Sequence, residues 1–411
     1  MITALTVLSF FTFIGLGLPD GLLGVAWPSM RAQFGQPLGA ITFLLGSASL
    51  GSFLAGVNSG RVIRAVGLAR TLLLAAAAMA LGLAAAAVAP IWWITWPAFL
   101  LTGIGAGLID AGFNSYAAHH FSATAMNWMH ASYGIGATAG PPMVTLSLLH
   151  THSWRTAYAA AALFLALVFV ALLRARRVFT AEGAKRAERG NVTARTRSAA
   201  DAGGAETRAG SGGARPGASP GRRGALVWGG VLLFFLYTGV EVSAGQLSYT
   251  LLTEGRGVDA VSAGFWVGAF WFSLTAGRVL LGPVSQRLGS RVVLRVAFIV
   301  TVTATVVLAL GLHSLADGIA LALLGLGVAP IFPLLVLLTP GRVGAARAHD
   351  VIGYQMAAAT AGSVVLAGGG SILAGRIGIQ AVAPFILLLA LLAAALYTGL
   401  TVMQRSVVHS Q

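Results

Sequence analysis

The chain contains no cysteine and a single lysine, Lys185. The first absence excludes disulfides and thiolate metal sites. The second removes the phosphate-binding loop Gly-x-x-x-x-Gly-Lys-Ser/Thr, so ATP hydrolysis by that device is excluded. No His-Glu-x-x-His pair occurs either. Charge is scarce: 9% of residues are charged, where soluble domains carry about 25%. Only eleven residues are acidic.

What remains is apolar, at 57% hydrophobic. Runs of about 20 apolar residues recur from end to end, each long enough to cross a ~30 Å hydrocarbon core. Twelve such spans are expected, the first near 4–27 and the last near 378–402. The first run is long and lacks a charged leader, so it reads as a span and not as a cleaved signal. Glycine is abundant, with 54 residues, and small residues let membrane helices approach closely.

The net charge of +15 is not a nucleic-acid signal, because of where it lies. Twelve of the 26 Lys and Arg residues fall between Arg174 and Arg223, outside any span. Arg64, Arg70, Arg287, Arg291, Arg295, Arg342, Arg347 and Arg405 occupy loops on that same side, against Arg31, Arg155, Arg256 and Arg376 on the other. This asymmetry places both termini in the cytoplasm. Basic clusters beside a membrane can touch anionic lipid. Residues 174–224 are rich in Arg, Gly, Ala, Ser and Thr and cannot bury a core, so a disordered cytoplasmic linker is expected there. It divides the chain into a six-helix bundle at 1–173 and another at 225–411.

The two halves repeat. At an offset of 222, Gly46, Gly60 and Gly67 meet Gly268, Gly282 and Gly289, and Gly103 and Gly105 meet Gly325 and Gly327. Ala137-Thr138-Ala139-Gly140 meets an identical Ala359-Thr360-Ala361-Gly362, and at offset 221 Asp20 and Gly24 meet Glu241 and Gly245. The loops Gly60–Arg70 and Gly282–Arg291 resemble the glycine-and-arginine loop of the major facilitator superfamily, with Arg64 and Gln286 in place of its usual acid. Gly17-Leu-Pro-Asp20 through Trp27-Pro28, Gly103 through Asp110 to Asn114, His130 through Tyr133 to Pro141, Tyr237 to Glu241, and Pro330-Ile-Phe-Pro333 stand out as motifs. On these the chain most resembles the fucose/proton symporter group of sugar permeases. The resemblance implies an all-α polytopic fold of twelve transmembrane helices in two six-helix repeats, embedded in a plasma (inner) membrane.

Three acids, Asp20, Asp110 and Glu241, fall inside apolar runs, on spans 1, 4 and 7. A charge at the bilayer centre costs roughly 3 kcal/mol on insertion scales, so such groups usually face a wet cavity. Desolvation disfavours the charged form of a carboxylate, which lets it load a proton on one side and release it on the other. By the resemblance, Asp110 is the proton carrier and Asp20 accepts hydrogen bonds from substrate hydroxyls; Glu241 is a further candidate for proton coupling. Asn114 lies one turn beyond Asp110 and is placed to orient it. His130 is expected to open span 5, where a cavity role and an interfacial one are both open. Trp27 and Tyr237 offer rings that can stack on a sugar, pack, or join an interfacial belt. Gln246 and Gln355 are candidate hydrogen-bond partners. Arg278 reads as a snorkelling or loop-anchoring residue.

The expectation is therefore a monomeric secondary transporter of a small polar solute, by the resemblance a sugar, moved by symport with protons. Export of drugs or metabolites on the same fold is the alternative. No enzymatic activity, cofactor, metal or nucleic-acid partner is expected, and the energy source is an ion gradient.

Overall fold

The computed structural model describes residues 4–121, 123–176 and 220–408, and every regular element among them is helical. Thirteen α-helices follow in order: α1 Ala4–Gln33, α2 Ile41–Val66, α3 Leu68–Val88, α4 Trp92–His120 and α5 Ala123–Thr151. Next come α6 Arg155–Arg176, α7 Pro220–Thr250, α8 Ala260–Leu288, α9 Ser290–Leu310, α10 Ser314–Val328, α11 Ile331–Val343, α12 Ala345–Ile377 and α13 Val382–Val408. They make twelve passes, because α10 and α11 form one span, Ser314–Val343, broken at Ala329–Pro330. Pro330 has no N–H to continue the ladder. Eleven helical stretches are both long and apolar enough to cross a membrane. The twelfth pass is α5, of 29 residues, diluted by Asn127, His130, Tyr133 and several threonines.

Most of the expected linker, from 177 to 219, lies outside the described residues. At its margins Arg174 to Arg176 continue α6, and α7 begins at Pro220.

The repeat seen in the sequence reappears as packing. In the first half α1 packs on α5, and α2 and α3 pack on α4; in the second, α7 packs on α12, and α8 and α9 on α10. A side chain at Gly103 would strike the carbonyl of Ala48, and one at Gly325 the carbonyl of Phe270. Both members of each contact are shifted by the same 222 positions. The turns α2–α3 and α8–α9 are made by Gly67 at φ 82° and Gly289 at φ 83°, a region that only glycine enters without strain.

The halves meet along α1–α7, α2–α12 and α5–α8. Gly24 abuts the backbone of Gly245 and Gln246, Gly134 lies against Thr275, and Gly264 against Thr145. Thr42 Oγ1 lies 3.5 Å from Ser371 Oγ. Arg31 at the end of α1 pairs with Glu254 in the π-turn that follows α7. These contacts run from mid-helix to the end that carries the loops after α1, α7 and α12. That end is closed. The opposite end carries the start of α1, the end of α13 and the Gly67 and Gly289 turns, and no joining contact of this set lies there.

Two polar features fix the closed end. Arg256 and Asp317 form a buried ion pair at 2.6 Å, with side chains 11% and 2% exposed, and Arg256 also donates to the carbonyl of Leu308. Asp259, outside the spans, caps α8 by accepting from the N–H groups of Ser262 and Val261. These bonds, Ser262 first, hold its carboxyl below the usual carboxylate range. The cap therefore persists at neutral pH and is lost only in strong acid, once the carboxyl protonates.

Candidate functional site

The site forms where the joining contacts end. Asp20 falls mid-way along α1, directly after Pro19, which removes one rung from the helix ladder. Close approach of α1 and α5 brings a partner to it. Gly17 and Gly21 lie against the carbonyls of Tyr133 and Ala137, where any larger residue would collide with main chain. As a result the Tyr133 hydroxyl donates to Asp20 Oδ2. Gln246 of α7 donates to the main-chain carbonyl of Asp20 at 3.0 Å, linking the halves at the same point.

On α4, Asn114 Nδ2 donates to Asp110 Oδ1 at 2.9 Å, the one-turn relation expected from their spacing. His130 lies within electrostatic reach of Asp110, with its ring edge-on to Phe13 at 5.5 Å. Neither Asp20 nor Asp110 makes an ion pair among the described residues.

The second half contributes a different cluster. Arg278 Nη2 donates to Glu241 Oε1 at 3.0 Å, and the Tyr237 hydroxyl donates to Glu241 Oε2. Both oxygens of Glu241 are thus engaged within its own half. The Arg278 side chain remains 36% exposed and that of Glu241 14%. Arg278 is in electrostatic reach of His130 and Tyr133 across the gap, and Glu241 of Asp20.

Asp20, Asp110, His130 and Arg278 are all exposed, although each lies well inside its helix. They face a space between the halves, past the joining contacts that run to the end latched by Arg31 and Glu254; among the described residues none of those contacts lies towards the other end.

The structure redistributes the remaining candidates. His130 does not open its helix: α5 starts at Ala123, about two turns earlier, so the imidazole lies within the span and at the cavity. Trp27 is fully enclosed; its indole donates to the carbonyl of Leu38 at 3.1 Å and its ring packs on Trp92. Its ring is unavailable to a ligand in this conformation. Tyr237, 1% exposed, supports Glu241 through its hydroxyl and presents no open ring face. Gln246 is 2% exposed and bridges the halves. Gln355 is equally buried and accepts from Thr339 at 3.1 Å, a contact within the second half and away from the acids. Arg278, read from the sequence as an anchoring residue, is instead the partner of Glu241. An arginine flanked by apolar residues needs a counterion, but the sequence alone does not say which acid supplies it.

The family model of the Major Facilitator Superfamily matches residues 5–367, and the chain belongs to that superfamily. It is an integral, multi-pass membrane protein of transporter fold. It is 23% identical over 286 residues, 67% of its length, to Bypass of stop codon protein 6 of Saccharomyces cerevisiae, and spans 56% of the length of that protein. Its backbone is similar to the crystal structure of a POT family transporter in complex with 5-aminolevulinic acid. That match has a TM-score of 0.71 at 10% identity and covers 98% of this chain and 96% of the other. A nucleoside transporter matches with TM-score 0.71 at 13% identity, covering 97% and 99%. A peptide transporter bound to sulfate matches with TM-score 0.66 at 14% identity, covering 97% and 95%. At these identities the likeness defines the fold.

Proposed function

We propose that the protein is a proton-coupled secondary transporter that imports a small polar solute by alternating access, with sugars as the class suggested by its helix 1 and helix 4 motifs. One observation carries this reading. Asp20 and Asp110 lie well inside their helices yet are exposed, and among the described residues each accepts a side-chain hydrogen bond only from a neutral group. A structural carboxylate in an apolar bundle would be closed in and neutralised; these two are left free to exchange a proton or a ligand.

Asp110, oriented by Asn114 and beside His130, is the proton carrier in this reading. Asp20, held by Tyr133, accepts from solute hydroxyls. The basic loops give the open end to the cytoplasm, so the conformation described is the one that releases solute inward. Rocking of one half against the other about the α5–α8 contact would close it and open the Arg31–Glu254 end.

The test is uptake of labelled sugars into oriented vesicles under an imposed pH gradient. Accumulation driven by an inward proton gradient is expected. Accumulation on the opposite side would replace import by export, and flux indifferent to pH would remove the proton from the scheme.

A further inference from the structure

The second-half wall of the cavity says more about the solute than the acids do. A guanidinium carries five N–H donors in a planar fork. Arg278 directs Nη2 to one oxygen of Glu241, whose other oxygen accepts from the Tyr237 hydroxyl. More than a third of the side chain still faces the cavity. Glu241 cannot move to cover it, because Tyr237 and Arg278 already occupy both of its oxygens. Glu241 and Tyr237 therefore act as a mount that holds the fork in place. Across the gap, Asp20 and Asp110 each have one neutral donor and lone pairs to spare. The cavity is thus bipolar: donors on the α8 wall, acceptors on the α1 and α4 walls.

We infer that the solute carries a carboxylate, received by the Arg278 fork, and hydroxyls that donate to Asp20 and Asp110: a sugar acid, and not a neutral sugar. This rests on reading the cavity as a solute site. The geometry fixes the orientation, since the carboxylate must lie away from the two acids that would repel it. A fork matches a carboxylate with two parallel bonds, which a lysine ammonium cannot do.

Gluconate and sorbitol share an open six-carbon chain and differ only at one end, so they isolate the carboxylate; glucose adds the neutral ring form. Thermal unfolding of the purified full chain would be followed with each, with acetate at equal ionic strength as the baseline. Gluconate should raise the unfolding temperature at least twice as far as either neutral compound, because a ligand stabilises the folded state according to its affinity. Arg278→Lys should reduce the gluconate shift by half or more, and Arg278→Gln should abolish it. Equal shifts from all three compounds, or a gluconate shift that survives Arg278→Gln, would overturn the inference and leave a polar-solute carrier standing. No shift with any of them would overturn both this inference and the sugar class. If Arg278→Gln does not fold, the lysine variant and the wild-type comparison decide.

Discussion

Asp20 and Glu241 hold equivalent places in the two repeats, 221 positions apart. Their neighbours Gly24 and Gly245 touch each other across the interface, so the axis relating the halves runs close by. Yet the two acids are held differently. Asp20 is exposed and has one neutral partner, the Tyr133 hydroxyl. Glu241 is mostly covered and has both oxygens engaged, one by a cation. The same position in a repeated fold can serve as a site or as scaffolding, and the neighbours decide which. An acid with a spare lone pair can exchange a proton or a ligand. An acid committed to an arginine fixes that arginine.

The largest test of this contrast falls on Asp110, which shares the open character of Asp20. Asp110→Asn mimics a carrier that never releases its proton. Uphill accumulation should disappear altogether, while exchange of labelled for unlabelled solute across the membrane survives. Glu241→Gln should leave the pH dependence of transport in place. If Glu241→Gln uncouples transport and Asp110→Asn does not, the assignments of the two halves are reversed.

Asp20→Asn comes next. It keeps the shape and removes a charge-assisted acceptor, an interaction worth roughly 1.5–3 kcal/mol. Solute affinity should fall about 10- to 100-fold in a binding assay, with normal yield of folded protein. Unchanged affinity would make Asp20 structural, like its repeat counterpart. A smaller effect is expected from the pair itself. A double-mutant cycle with Glu241→Gln and Arg278→Gln, read by thermal unfolding, should give a coupling of about 1–2 kcal/mol, because the open face of Arg278 screens the pair. A coupling near zero would mean that Glu241 does not hold the arginine.

Much of this was legible before any coordinates. Twelve passes follow from the length of the apolar runs, and the repeat register from glycines whose backbone contacts recur 222 positions apart. The acids stood out because charge is costly in an apolar run, and Asn114 followed from helix spacing alone. Pairings between helices were not legible. Nothing in the sequence states that residue 278 turns towards residue 241, because that depends on the rotation of α8 about its own axis. His130 was misplaced because the polar start of α5 hides two helical turns. Trp27 illustrates a third limit: an indole that binds a sugar and one that packs on Trp92 look the same in sequence.

The smallest expected effect concerns the closed end and tests whether the cavity faces alternate. Arg31 and Glu254 join the halves there, with side chains 24% and 37% exposed. An exposed pair contributes about 0–1 kcal/mol, and at that limit its loss shifts a two-state equilibrium roughly fivefold. Glu254→Gln should therefore enlarge the minor population in which the Arg31 end is open and the other end shut. Because the chain has no cysteine, labels can be placed without removing any native residue that reacts. Spin labels at Arg64→Cys and Arg287→Cys, both exposed at the open end, report its width directly. The expected outcome is a growing short-distance population in Glu254→Gln, reproduced in the parent chain by high salt, which screens an exposed pair. A distance distribution unmoved by both would mean that the pair is incidental and that helix packing along α1–α7 and α5–α8 alone keeps this end shut.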